Sequence, residues 1–388
     1  MAHRINNTLV HRIKDIILIL VFVGAVWLPL IGSFFGWGTS QDLGEKRVLA
    51  KPPALGTDPI EAIPEKFEAF YNDHFGFRNR LIRGHNWLRY KLFKGTSYGK
   101  VLIGKGDWLF LTKAGIMADY LGQSPLTPEE LTGWKEALER RQTWLAERGI
   151  SYLFVVAPNK AMIYPEMLPD HIYRNKGRTR MDQLVEYLHE NSDVEILDLR
   201  DALRQAKSTE LVYYPRDSHW NERGAFIVYR EICNRLAKWF PDIRPWSLED
   251  FTITIRNRVG DLGTMLGLGE ELTQQCEVFT PRRKREAHRV DVTLPDEHQW
   301  PEHIARNQVV AMENQNAKHR MVFFHDSFGN YGGLQEYLGE HFSRIASVPI
   351  DFENDCLELM VELEHPDIVI QELVERKLGE VPSPGPGR

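Results

Sequence analysis

The sequence predicts an α/β protein with a mostly parallel sheet, carried behind one N-terminal membrane helix. Short apolar runs alternate with amphipathic stretches from about residue 151 to about 371, the pattern of strands and helices that cover each other's faces. An unbroken apolar run, Ile16 to Trp37, stands ahead of them. One short polar motif, His325-Asp326-Ser327, follows a run that should end at the carboxyl edge of such a sheet, where its sites gather, and a second, Asp217-Ser218-His219, lies on a loop ahead of a helix.

The run from Ile16 to Trp37 is about 22 residues long, or about 33 Å as a helix, which matches a bilayer core. Gly24, Pro29 and Gly32 inside it are tolerated in lipid. Arg4, Arg12 and Lys14 precede the run, and Asp42 and Glu45 follow it, so residues 1–15 are expected in the cytoplasm and the rest outside. The run is longer than a signal-peptide core, and no small-x-small cleavage site follows cleanly, so a retained anchor over 16–37 is expected. Residues 38–64, with Pro52, Pro53, Pro59 and Pro64, read as a stalk.

Folded structure should begin near Glu65. The aromatic-rich stretch Phe67 to Phe93 has helical spacing. Gly95-Thr96-Ser97-Tyr98-Gly99 matches G-x-S-x-G literally but lacks the strand-before, helix-after context of a nucleophile elbow, so Ser97 reads as a turn residue. Thr127-Pro128-Glu129-Glu130 is a capping box that opens a helix. Strands are predicted at 151–157, 194–199, 321–324, 344–348 and 367–371, and helices at 179–191, 222–240, 331–341 and 353–364. The stretch 247–315 breaks the rhythm and reads as an insertion or lid. The catalytic domain is expected over 65–376, and the Pro/Gly-rich end, 377–388, as a tail without fixed structure.

Composition narrows the function. The 388 residues are 43% hydrophobic and 26% charged, an ordinary globular balance. A formal charge of -6 with scattered basic residues argues against a nucleic-acid protein; the Arg282-Arg283-Lys284-Arg285 cluster reads first as a solvated face. Cys233, Cys276 and Cys356 have neither metal-type nor disulfide-framework spacing and read as buried apolar residues.

A serine hydroxyl becomes a nucleophile when a base takes its proton and an acid orients that base. Ser327, after the strand-like Met321-Val322-Phe323-Phe324, is the candidate nucleophile, with His219 the base and Asp217 the acid. In an extended segment residues two apart face one side, so Asp217 and His219 would share a pocket and Ser218 would face away. Asn159 and Lys160, just beyond the 151–157 strand, are candidates for an oxyanion donor and for an acidic-glycan contact, and Tyr331 is a further glycan candidate. The bland alternatives are a cap-and-turn pair at Asp217 and His219, and a strand-end turn at Asn159. A metal site built from Asp217, His219, His325 and Asp326 has no supporting ligand spacing.

The chain also resembles a known family. The matching pieces are Asp73-His74-Phe75-Gly76-Phe77-Arg78, Gly104-Lys105-Gly106-Asp107-Trp108-Leu109-Phe110, Pro158-Asn159-Lys160 with Tyr164-Pro165-Glu166, Asp217-Ser218-His219-Trp220-Asn221, His325-Asp326-Ser327-Phe328 and Glu375-Arg376. In this order they resemble the alginate O-acetyltransferase group, AlgJ and AlgX, and more nearly the membrane-anchored AlgJ type. The resemblance implies an SGNH-hydrolase-like, doubly wound domain, with Ser327 accepting an acetyl group, His219 acting as base then acid, and Asp217 orienting it. It implies an exopolysaccharide substrate and a periplasmic catalytic domain on the bacterial inner membrane. It implies no cofactor of its own; the acetyl donor would be supplied by a polytopic membrane O-acyltransferase (MBOAT type). His325 departs from the glycine that many SGNH sequences have before Asp-Ser. Two alternatives stay open, a periplasmic carbohydrate esterase and an inactive scaffold subunit of a polysaccharide-modification complex.

Overall fold

The computed structural model describes residues 2–35, 48–54, 56–92, 97–292, 309–349 and 354–386. Trp37, most of the stalk's first half and part of the insertion lie outside them. Contacts divide the chain into two compact units: Met1–Lys94 with Gly263–Glu271, and Gly95–Leu262 with Leu272–Arg388.

In the first unit, Ala2–Phe34 is one helix, and its His11–Ser33 stretch is long and apolar enough to cross a membrane. Ile63–His74 and Arg78–Leu92 are also helices. Their separation at Phe75–Phe77 marks the one break in the predicted helical stretch.

The second unit is built on a seven-stranded sheet in the order Ile196–Asp198, Ser151–Ala157, Ile368–Val374, Arg320–Phe324, Arg344–Val348, Val310–Glu313, His288–Val290. The first five run parallel. Val310–Glu313 runs antiparallel to these, and His288–Val290 antiparallel to it in turn. Continuous apolar runs such as Leu153 to Ala157 and Met321 to Phe324 are fully buried, as strands covered on both faces must be. Helices carry these covers. Pro128–Ala146 opens on the Thr127/Glu130 capping box, and Arg180–Asn191 on a second such box at Thr179. Together they bury Trp134, Leu138, Met181 and Leu184 against one face. Glu222–Leu236 buries Phe226, Val228, Tyr229 and Ile232 against the other.

The region read as an insertion contains a long antiparallel hairpin, Phe251–Val259 paired with Thr273–Pro281. It is fastened to the sheet's helical cover by an aromatic cluster: Phe226 meets Phe251 and Phe279 with ring centroids 5.5 and 5.9 Å away. A two-pronged Arg223–Glu277 pair, 3.0 and 2.8 Å, adds a polar fastening. The basic cluster turns partly inward: Arg282 donates to the Phe251 carbonyl, and Arg283 stacks on Trp246. The Pro/Gly-rich end differs from expectation. Through Pro386 it lies on the Pro128–Ala146 helix, where Trp134 donates to Leu378 O at 3.0 Å and buried Arg141 to Ser383 O at 3.5 Å.

Candidate active site

Arg320–Phe324 delivers a tight turn at its carboxyl end. Asp326 organises this turn: its Oδ1 accepts the Phe328 N–H (2.8 Å) and its Oδ2 accepts the Val374 N–H (2.9 Å) at the end of the neighbouring strand. Phe328 is driven into the core beside Trp220, at 4.8 Å. Ser327 is left exposed between two buried neighbours. Its backbone N–H finds no acceptor among the described residues.

His219 arrives on a loop closed by a bridge between Tyr213 and Trp220. Strand alternation is not what aligns this motif. Asp217 forms an Asx turn, in which its Oδ1 accepts both the His219 N–H (3.1 Å) and the ring Nδ1 (2.8 Å). The other ring nitrogen, Nε2, lies 2.9 Å from Ser327 Oγ. The structure therefore brings Asp217, His219 and Ser327 into one hydrogen-bonded chain. Asn221 then caps the following helix by accepting the Gly224 N–H at 2.8 Å, as its position predicts.

Burial alone would raise the Asp217 pKa, but the hydrogen bond and charge of His219, with N–H bonds from His219 and Asp261, outweigh it and hold the carboxyl at about 2. The imidazole lies flat against Tyr331, with centroids 3.7 Å apart and planes 10° apart. The Arg258 guanidinium sits 4.9 Å over the other ring of this stack, Tyr331, and 3.8 Å from Asp217 Oδ2.

A second carboxylate, Asp261, was not singled out by the sequence. Its N–H donates to Asp217 Oδ2 (3.1 Å), and its oxygens accept the Ser218 N–H (2.7 Å) and hydroxyl (2.5 Å). Ser218, expected to face away from the pocket, instead puts its Oγ 3.3 Å from His219 Nδ1 and is the strap that holds Asp261 near the imidazole, with Oδ2 3.8 Å from Nδ1. Burial and the Asp217 charge raise the Asp261 pKa against the pull of His219 and Ser218. The available signal was Gly260: a Cβ there would lie 2.0 Å from Arg216 O, so only glycine lets the hairpin's end come this close.

Asn159 and Lys160 take different posts. Lys160 is buried and donates to the carbonyls of Tyr214 (3.0 Å), Pro215 (3.1 Å) and Asp217 (2.6 Å). Its ammonium pins the loop that carries His219, and its donors go to these three carbonyls. Burial pushes its pKa down to about 7, against the pull of Asp217 and Asp261. Leu109 braces the same loop through Pro215 O at 2.9 Å. Asn159 is also buried; its N–H donates to Glu375 Oε2 at 2.9 Å, while its side-chain Nδ2 has no partner among the described residues. A free amide donor at the carboxyl edge of the sheet suits a developing oxyanion.

Among the described residues, Asp217, His219 and Asp261 are close enough to share a metal ion. Their oxygens, however, already accept N–H and O–H donors from Ser218, His219 and Asp261, which is a hydrogen-bond network rather than a vacant cage. His325 and Asp326 do not join it: His325 Nδ1 donates to Asp326 O, and Asp326 holds the serine turn.

Residues 101–302 match the family model of the SGNH hydrolase-like domain of acetyltransferase AlgX, a segment that includes Asp217, His219 and Asp261 and ends before Ser327. The probable alginate O-acetylase AlgJ of Pseudomonas aeruginosa is 31% identical over 170 residues, 43% of this chain and 40% of that protein. The protein of the same description from Azotobacter vinelandii is 24% identical over 177 residues, 44% of this chain and 42% of its own. The matches thus span about two fifths of the length of these curated relatives. Among solved structures, PatB1 of Bacillus cereus superposes with a TM-score of 0.52 at 18% identity, over 72% of this chain and 96% of its own. A DHHW family protein from Eubacterium siraeum gives 0.52 at 14% identity, over 73% and 93%.

Proposed function

The chain belongs to the family of SGNH hydrolase-like domains of the AlgX acetyltransferase type, and from that premise we propose that it O-acetylates an exopolysaccharide through an acyl-enzyme on Ser327. The observation that carries the reading is the unbroken relay from Asp217 through His219 to an exposed serine. In the first half-reaction His219 Nε2 takes the Ser327 proton as Oγ attacks the acetyl carbonyl, then returns it to the leaving group. In the second, a sugar hydroxyl gives its proton to the same nitrogen and attacks acetyl-Ser327, which releases the acetylated glycan and the free serine. Asp217 stabilises the imidazolium in both. The Ser327 N–H and Asn159 Nδ2 are the donors that suit the tetrahedral oxyanion. Tyr331, flat on the imidazole, restricts its rotation and borders the acceptor side.

The apolar His11–Ser33 stretch, with Arg4, Arg12 and Lys14 before or at its N-terminal end, supports an inner-membrane anchor with the catalytic unit in the periplasm. Acetyl-CoA is not available there, so the acetyl group would be handed over by a polytopic membrane O-acyltransferase, with no cofactor held by this chain. The test is mass spectrometry of the protein after exposure to an activated acetyl ester, with and without an oligosaccharide acceptor. Acetyl on Ser327 that moves to the sugar supports the proposal. Label on other residues only would sink the nucleophile assignment, and acetyl released to water with acceptor present would make the protein an esterase.

A further inference from the structure

The helix Arg78–Leu92 wears its faces the wrong way round for a surface helix of a soluble protein. At about 100° per residue, Leu81, His85, Leu88 and Leu92 form one narrow stripe. All four are exposed, the leucines by 55%, 51% and 65%. The opposite face does the packing within the unit: Tyr90 is buried, Asn86 donates to Leu266 O at 2.8 Å, and Arg83 pairs with Glu270 at 3.0 Å. Polar groups therefore face inward and leucines outward. An apolar stripe of this kind needs a cover.

What covers it is indicated by the turn that leads into the helix. Gly76 donates its N–H to Ser33 Oγ (2.7 Å) and to Pro29 O (3.2 Å), the last residues of the apolar stretch that can cross a membrane. The approach is so close that a Cβ on Gly76 would lie 2.5 Å from the Gly32 carbonyl carbon. The helix thus starts at the end of the span. It contains five basic residues and no acidic one. Arg80 and Lys91 share one flank of the stripe with exposed Trp87, and Lys91 lies 5.8 Å over the Trp87 ring. Leucines on one side, with tryptophan and cations at the border, are what a headgroup layer selects.

We propose that Arg78–Leu92 lies in the membrane interface, with Leu81, Leu88 and Leu92 in the acyl boundary and Arg80 and Lys91 on anionic headgroups. The inference rests on the reading of Ala2–Phe34 as a membrane span and goes beyond it.

The test uses the full chain reconstituted in phosphatidylcholine bilayers with or without phosphatidylglycerol. An environment-sensitive fluorophore is placed on Leu88→Cys, Leu20→Cys or Glu129→Cys; the native cysteines are buried, and the unsubstituted protein gives the labelling background. Lipids carrying a nitroxide at the headgroup or along the acyl chain serve as quenchers. The expected result is headgroup-level quenching at position 88, stronger with phosphatidylglycerol and weakened by Arg80→Gln with Lys91→Gln. Position 20 should be quenched by the acyl-chain probe and position 129 by neither. Position 88 in water while position 20 is in lipid overturns the inference and leaves the anchor standing. Neither in lipid removes the anchor reading as well. Position 88 shielded only in native membranes makes the cover a membrane protein and also overturns it.

Discussion

Asp217 serves two partners with one oxygen, and that economy makes it hard to replace. Its Oδ1 fixes the His219 backbone and the ring together, so the imidazole is aimed before any substrate arrives. Asp217→Asn keeps the shape but offers an N–H where the ring needs an acceptor; turnover of an activated acetyl ester should fall by about 10⁴-fold, the scale for the orienting acid of such a relay. Asp261→Asn removes a charge that supports the loop through Ser218 without touching Ser327, and kcat should fall only on the order of 10-fold. Equal losses for the two variants would place Asp261 in the relay itself. Apart from the glycine before it, no local pattern announces this residue, because its partners Ser218 and Asp217 are 43 and 44 positions away. The Asp217/His219 pair was legible for the opposite reason, since an acid two residues from a histidine can form its turn without help from the rest of the chain.

At the scale of elements, continuous apolar runs made most strands legible, and polar interiors hid the others. Thr273–Pro281 turns Gln274 and Cys276 inward, so its sequence shows no apolar alternation and the hairpin was read as an irregular lid. Ile368–Val374 extends beyond the expected end at Gln371 because the next position, Glu372, is buried too and accepts the Asp326 N–H. The hairpin matters to the site because Gly260, at its end, lets Asp261 reach Asp217. Gly260→Ala forces a methyl to 2.0 Å from Arg216 O. The loop must retreat, with an expected stability loss of about 1–3 kcal/mol and a drop in kcat on the order of 10²-fold. Denaturant melts and ester kinetics on the same preparation check both; a variant with full activity would mean that the hairpin's approach is not what positions the relay.

At the scale of the whole second unit, stability depends on a carboxyl at the carboxyl end of Ile368–Val374, the middle strand of the parallel five. Glu375 is fully buried, and burial raises its pKa from 4.5 to about 8 against the N–H bond from Asn159. Its Oε1 has no partner among the described residues. Between pH 4.5 and about 8 the folded chain therefore holds a proton that the unfolded chain has released. This contribution is whole below pH 4.5 and is lost as pH rises to about 8, at up to about 1.4 kcal/mol per pH unit. Glu375→Gln keeps an acceptor for Asn159 and cannot ionise, so its melting midpoint should lose this slope and exceed the parent's above pH 8; parallel pH profiles would contradict it. The order of strands has one more consequence. Ile368–Val374, the last strand in sequence, lies between Ser151–Ala157 and Arg320–Phe324. Until it inserts, the strand bearing Ser327 and the strand whose end pins the His219 loop have nothing between them. The growing polypeptide consequently carries His219 before Ser327, and the two can meet as they do here only after Ile368–Val374 has been made and has taken its place in the sheet.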